Sequence, residues 1–359
     1  MKKIDEYLRM TLERKGSDLH FIAGDPPRAR LHGDLEALDE KPLDPEFVKT
    51  CLYEIMNEAS LAMFDRNDGA DFAYTIENLA RFRVNVLRHL GGMGAVFRAI
   101  PAYAQSLEDL GMPEIVHSMC QEKQGLILVT GKTGSGKSTT LAAMIDSINS
   151  KRNGHIITIE DPIEFVHQRK LSLISQREVG IHTQSFAAAL HSALREDPDV
   201  VLVGELRDLE TTSIAITAAE TGMLVMGTLH TNGAAQTVDR IVNSFPVDKQ
   251  SPIRTMLSTS LRGVISQQLI KRCDKPGRVA ALEILMNTSA VANLIRQGKI
   301  DQIENAMQGG GASGMKTMDA ALKTLVDRRL ISGEEAYLKS FNKMNFKDFA
   351  PEGAEEVGA

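Results

Sequence analysis

The sequence predicts an α/β protein in two parts: a small α+β domain at residues 1–100 and a larger parallel α/β domain with a helical C-terminal region at 114–345. Three observations carry that reading. The chain of 359 residues is longer than a single hydrophobic core usually sustains. The stretch 125–141, GLILVTGKTGSGKSTTL, reads as a buried strand, a glycine loop and the start of a helix. Beyond it strand and helix patterns alternate, the signature of a parallel sheet; before it short strands and helices cluster as in an α+β fold.

Residues 3–15 carry Ile4, Tyr7, Leu8 and Leu12 at helical spacing, and Gly16-Ser17-Asp18 ends the element. Residues 19–22 and 29–31 read as short strands about the turn Gly24-Asp25-Pro26-Pro27, and Gly33-Asp34 marks another turn. Asp44-Pro45 supplies an N-cap and a first-turn proline for a helix that buries Phe47, Val48, Cys51, Leu52 and Ile55. Strand character returns at 71–75, 81–87 and 94–98. Periodicity breaks down over 101–113, which is rich in Pro, Gly and Ser and reads as the linker. In the larger part the core strands are expected at 126–129, 155–159, 200–203 and 224–228, with helices at 186–195, 208–220 and 234–243. After about residue 249 the pattern is mostly helical, with one strand at 279–285 and a flexible break at Gly309-Gly310-Gly311. Residues 346–359 read as a disordered tail.

Composition excludes some classes of function. A net charge of −6 gives no general attraction to nucleic acid or an anionic membrane, and the absence of Trp with only 5% aromatics leaves few stacking platforms for a nucleic-acid strand. No uninterrupted apolar segment is long enough to span a membrane, and the acidic residues near Met1 do not fit a signal-peptide core. Cys51, Cys120 and Cys273 are scattered, without metal or disulfide spacing, as in a reduced cytoplasmic protein.

Gly131-Lys132-Thr133-Gly134-Ser135-Gly136-Lys137-Ser138 satisfies the P-loop pattern, and Leu141, Met144, Ile145 and Ile148 give the following helix one apolar face. Glycines let successive backbone N–H groups converge on phosphate oxygens, and the helix N-terminus adds partial positive charge. Gly131, Thr133, Gly134, Ser135, Gly136, Lys137, Ser138 and Thr139 are therefore expected to bind ATP, with Lys137 on the β- and γ-phosphates and Ser138 on Mg²⁺. The alternative is a glycine-rich turn without a ligand.

Hydrolysis also needs an acid on the metal and a group that orients water. Parallel sheets bind ligands at the C-terminal ends of their strands, and two strand ends here are acidic: TIEDPIE at 158–164 and DPDVVLVGELRD at 197–208. The second is Walker-B-like, with Glu205 at the strand tip; the alternative for all these acids is a solvated turn or an N-cap. A third strand ends in His230-Thr231-Asn232, where a histidine can sense the γ-phosphate, bond a catalytic glutamate, or simply be structural.

With these segments in place the chain resembles the PilT/PilU-like type IV pilus retraction ATPases, in the secretion-ATPase superfamily of P-loop motors. The resemblance runs from Ser17-Asp18-Leu19-His20 to about Leu338. It rests on the Walker A loop, the "Asp box" at 158–164, the Walker B run at 197–208, the "His box" AETGMLVMGTLHTN at 219–232 and Arg81-Phe82-Arg83-Val84. It implies a PAS-like N-terminal domain and a RecA-like ATPase domain, assembled as a cytoplasmic homohexameric ring at the inner membrane with ATP between subunits. It implies an inner-membrane pilus platform protein as partner, room for a second retraction ATPase, and twitching motility as the output. It further implies that Glu164 activates water, that Glu205 holds Mg²⁺, and that Arg83 and Arg98, on neighbouring strands of the small sheet, reach the nucleotide. Arg195 and Arg207 are the alternative arginines.

Two departures from the family pattern stand out. The first histidine of the His box is Met223, which can neither take nor give a proton. The A-I-R-x-G-like motif appears as Asn293-Leu294-Ile295-Arg296-Gln297-Gly298-Lys299, an altered form of a motif linked to retraction. Three other readings compete. A pilus assembly or type II secretion ATPase commonly carries an extra N-terminal domain and a four-cysteine zinc insertion, which this sequence does not display. A nucleic-acid-translocating RecA-like ATPase requires basic or aromatic surfaces for the strand. A non-catalytic nucleotide-binding scaffold keeps some weight because of Met223.

Overall fold

The computed structural model describes residues 2–31, 34–77, 79–100 and 104–351. It divides into two compact units, Met1–Tyr103 with Glu164–Val166, and Ala104–Ile163 with His167–Ala359.

The first unit contains α1 (Ile4–Glu13), β1 (Asp18–Ile22), β2 (Arg28–Leu31), β3 (Asp34–Ala37), α2 (Pro45–Tyr53), α3 (Glu58–Asn67), β4 (Gly69–Ile76), β5 (Ala80–His89) and β6 (Gly92–Ile100). Its strands form one antiparallel sheet in the order β3-β2-β1-β6-β5-β4. Alternation along the strands sorts the faces: Leu19, Phe21, Phe82, Val84, Val86 and Phe97 go inward and pack with Ile4, Leu8, Val48, Leu52 and Phe64 of the helices. The predicted start of α2 is present, with the Asp44 carboxylate accepting the Phe47 N–H at 3.0 Å and Pro45 in the first turn. Two elements escaped the sequence reading. α3 buries only Ser60 and Phe64, and β3 is exposed at every residue, so neither has a periodic apolar stripe.

The second unit contains α4 (Glu114–Met119), β7 (Gly125–Thr130), α5 (Lys137–Lys151), β8 (His155–Glu160), β9 (Leu173–Glu178), α6 (Phe186–Ala193), β10 (Val200–Val203), α7 (Leu209–Glu220), β11 (Leu224–Leu229), α8 (Ala234–Asn243), α9 (Val247–Ser260), β12 (Leu261–Lys271), β13 (Arg278–Met286), α10 (Ser289–Gln297), α11 (Ile303–Gly309), α12 (Met318–Asp327) and α13 (Gly333–Lys339). The sheet order is β13-β12-β7-β11-β10-β8-β9, parallel throughout except for the antiparallel pair β12–β13. The four expected core strands are its centre, and β7, β10 and β11 are buried along their whole length, as apolar runs between two helical layers must be.

The expectation of mostly helix after residue 249 is corrected by β12. Leu261, Val264, Ile265 and Leu269 are spaced like one face of a helix, yet they lie in an eleven-residue strand. That strand sits inside the sheet, so both of its faces are buried and alternation is not required. Its buried polar residues, Ser266 and Gln267, have tertiary partners that sequence periodicity cannot register. β9 was also missed. Of the expected linker, residues 101–103 lie outside the described residues, while Leu107 and Met112 are buried beside Val116 and Met119, so 104–113 is packed. The expected tail begins too early: Lys343–Phe349 forms 3-10 turns, with Phe346 buried against the C-terminal helices. Residues 352–359 lie outside the described residues.

Candidate functional site

The phosphate loop connects β7 to α5. Gly131, Gly134 and Gly136 have φ of +139°, +77° and +90°, left-handed values that only glycine adopts without strain. A Cβ at Gly131 would strike the Gln267 carbonyl oxygen and would lie 2.6 Å from Ser135 Oγ. Lys137 opens α5 and is buried; its Nζ donates to the carbonyls of Gly131 (2.8 Å) and Lys132 (3.3 Å) and is thereby held at the loop. Ser138 and Thr139 follow in the same first turn, whose N–H groups have no carbonyl of a preceding turn to bond. Thr133 and Gly134 are exposed on the loop's outer side.

Gln267 of β12 fixes the loop, and sequence reasoning missed it. It is 1% exposed. Its Nε2 donates to the Ser135 carbonyl at 2.6 Å, and its Oε1 accepts from Thr140 Oγ1 at 2.9 Å. A peptide plane is rigid and its C=O and N–H point in opposite directions. Drawing the Ser135 carbonyl toward Gln267 therefore turns the Gly136 N–H the other way. Ser135 Oγ is buried and has no hydrogen-bond partner among the described residues. An orphaned hydroxyl, three positive-φ glycines and a held ammonium fit phosphate oxygens, which supply the acceptors and the negative charge.

The strand tips that carry Glu205 and His230 are neighbours. Glu205 follows β10, two strands from β7 and roughly 10 Å across the sheet at the usual strand spacing. Buried Thr228 of β11 fixes that tip from both sides: its hydroxyl donates to the Gly204 carbonyl, and its carbonyl accepts the Leu206 N–H at 3.0 Å. Glu205 Oε1 lies 3.3 Å from His230 Nε2, and Oε2 accepts from Arg207 Nε at 2.7 Å. Arg207 Nη1 reaches Asp161 Oδ2 at 3.3 Å, so Asp161, Arg207, Glu205 and His230 form one charged chain along three strand ends. The Glu205 hydrogen bond is the main reason the Arg207 pKa is raised. Glu160 Oε1 accepts from Thr158 Oγ1 at 2.6 Å. Arg195 turns back onto its own helix, donating to the His191 carbonyl at 3.0 Å.

Three expected residues belong to the first unit. Arg83 and Arg98 face each other directly across β5 and β6, and both are exposed. Like charges in that position repel. Asp18, 4% exposed, offsets this by accepting from Arg98 Nε at 2.8 Å, and Arg83 Nε lies 4.0 Å from Asp71. Glu164 is exposed in the short segment Glu164–Val166.

The two departures also find their places. Met223 stands at the start of β11, where its carbonyl accepts the Gly125 N–H at 2.9 Å. It is therefore at the N-terminal end of a central strand, opposite the phosphate loop, roughly 20 Å from His230 at 3.3 Å per strand residue. The altered motif at 293–299 ends α10, and Gly298 (φ +72°) is the left-handed C-cap, with the Lys299 N–H reaching back to the Leu294 carbonyl. Arg296 is exposed. Among the described residues no helix is long and apolar enough to cross a membrane.

Residues 1–343 match the family described as type II/IV secretion system protein. The type IV pilus retraction ATPase PilT of Pseudomonas aeruginosa is 50% identical over 343 residues, which span 96% of this chain and 99% of that one. A twitching motility protein of Neisseria gonorrhoeae is 53% identical over 321 residues, 89% of this chain and 86% of that one. The crystal structure of the pilus retraction motor PilT with bound ADP is similar with a TM-score of 0.91 at 45% identity, covering 96% of this chain and 99% of that chain. With the match running through both units and the phosphate loop, the chain belongs to the type II/IV secretion system protein family.

Proposed function

We propose that this protein is an ATP-hydrolysing motor that retracts type IV pili, acting as a cytoplasmic homohexamer on an inner-membrane platform protein. The observation that carries the reading is a phosphate loop with Glu205 and His230 on neighbouring strand tips, in a chain that aligns with a retraction ATPase from end to end. Gly131, Thr133, Gly134, Ser135, Gly136, Lys137, Ser138 and Thr139 take the nucleotide. Ser138 and Glu205 offer the hard oxygen donors that Mg²⁺ requires. A metal held there would supply positive charge to offset the negative charge of the phosphate oxygens.

Lys137 neutralises charge on the β- and γ-phosphates. Glu164 accepts a proton from the attacking water as the bond between the γ-phosphorus and its bridging oxygen breaks. Arg83 and Arg98 supply guanidinium charge toward the γ-phosphoryl, and their bonds to Asp71 and Asp18 set where those side chains start from. His230 holds Glu205 in place. A second retraction ATPase working beside this one is compatible with the same output.

The test combines chemistry and physiology. The purified chain should hydrolyse ATP and form rings, and Lys137→Ala should lose both nucleotide affinity and turnover. A deletion strain should lose twitching while becoming hyperpiliated. Loss of pili would point instead to an assembly ATPase of the same superfamily. Normal twitching would remove an essential role in retraction, and DNA-stimulated turnover would favour a nucleic-acid motor.

A further inference from the structure

Ser266 and Glu283 are direct cross-strand partners on β12 and β13, and both are buried, at 2% and 5% exposure. Neither belongs to the phosphate loop or to the charged chain at the strand tips. Ser266 Oγ accepts the Gly233 N–H at 2.9 Å. One oxygen of Glu283 accepts the N–H of Ala234, the first residue of α8; the other accepts the N–H of Met318, the first residue of α12, at 3.0 Å. A single carboxylate thus satisfies the N-terminal donors of two helices that are far apart in the chain.

These helices have different surroundings. α8 begins four residues after His230, and Thr237 in its first turn bonds Thr231 Oγ1 at 2.7 Å and Thr130 Oγ1, just before the phosphate loop, at 3.4 Å. α12 starts the C-terminal helices, which pack around Ile270, Leu322, Leu325 and Phe346. Its lead-in, Lys316, pairs with Ile284 beside Glu283. Burial is the largest influence raising the Glu283 pKa, and the backbone N–H bonds to Ala234 and Met318 oppose it. A buried carboxylate is costly, and an apolar residue would be the cheaper occupant unless both oxygens are used.

We infer that Glu283 is a positioning residue that ties the His230–Gly233 loop to the C-terminal helices, so that a nucleotide-dependent shift of that loop moves α12. The inference rests on the nucleotide reading above. A carboxylate bonded to two helix starts resists their separation, and only a four-residue loop separates α8 from the tip of β11.

Hydrogen exchange on the full chain tests this, comparing Mg²⁺ with ADP against Mg²⁺ with a non-hydrolysable ATP analogue. In the wild type the analogue should slow exchange in 131–141, in 231–243 and also in 316–327, by about five-fold or more. In Glu283→Gln, whose amide must set an N–H against an N–H, the first two segments should keep their response and 316–327 should lose it. The kcat should drop about ten-fold with KM within about two-fold of the wild type. A helix cap with a merely structural role would lower thermal stability and leave the 316–327 response in place, which would overturn the inference. So would a wild type whose 316–327 segment ignores the analogue, a result that needs no variant to fold. Exchange at 131–141 that is the same in the nucleotide-free wild type as with either nucleotide would instead refute nucleotide binding at the loop.

Discussion

Replacing Gln267 with leucine removes a β12 side chain that hydrogen-bonds the phosphate loop while nearly conserving volume. Two neutral hydrogen bonds are lost, to the Ser135 carbonyl and the Thr140 hydroxyl. Each is worth about 1 kcal/mol net, and a buried carbonyl left unpaired costs about 1–3 kcal/mol more, so the loop region should lose about 3–5 kcal/mol. With its carbonyl unanchored, the Ser135–Gly136 peptide rotates, and binding must first restore its orientation. If about half of the loss appears in binding, ADP affinity should fall about ten- to hundred-fold. Titration with a fluorescent ADP analogue measures this, and hydrogen exchange over 131–141 reports the loop directly. Gln267→Glu should bind still more weakly, since it keeps the acceptor for Thr140 but sets a carboxylate against the Ser135 carbonyl. A Gln267→Leu protein that binds ADP within about two-fold of the wild type would refute the argument that β12 orients the loop.

Four further outcomes are expected. Lys137→Ala should weaken nucleotide binding by about 1.5–3 kcal/mol, the usual range for a charged hydrogen bond, read by the same titration; unchanged affinity would place the site elsewhere. Glu164→Ala should keep nucleotide affinity and lose about 10²–10⁴ in kcat, and normal turnover would transfer the water-activating role to Glu160 or Asp161. Met223→His should leave ADP affinity unchanged because the position lies at the opposite end of its strand from the phosphate loop; a change of several-fold would contradict that placement. Arg98→Ala should sensitise the first unit to acid. Burial alone would raise the Asp18 carboxyl, but the Ser17 hydroxyl and Arg98 outweigh it and hold it below its ordinary 3.8. A depressed folded value means that Asp18 supports the fold above its unfolded pKa and ceases to do so as pH falls through the folded one. Without Arg98 that loss should begin at higher pH, visible as earlier exchange in β1 and β6 during an acid titration. An unmoved midpoint would show that Ser17 suffices.

Residues 125–141 announced the site without any tertiary knowledge, because a left-handed glycine and a fully apolar strand are local requirements written one residue at a time. The same holds for Glu205 and His230, which end strands whose apolar runs are unmistakable. The Asp44 cap of α2 and the neighbouring strands of Arg83 and Arg98 were legible for similar reasons. β12 was misread because its apolar spacing imitates a helix and its polar residues are buried by distant partners.

What the sequence determined by itself was the nucleotide loop, the four central strands and the chemical character of their tips, since each follows from local backbone demands and burial along one element. Which polar groups meet was settled by the three-dimensional packing. Ser135 and Gln267 are 132 residues apart, Ala234 and Glu283 are 49 apart, and Met223 falls at the strand end away from the phosphate loop. Pairing of that kind depends on strand order and register. Those are set by the packing of the whole sheet, which no window of the sequence contains.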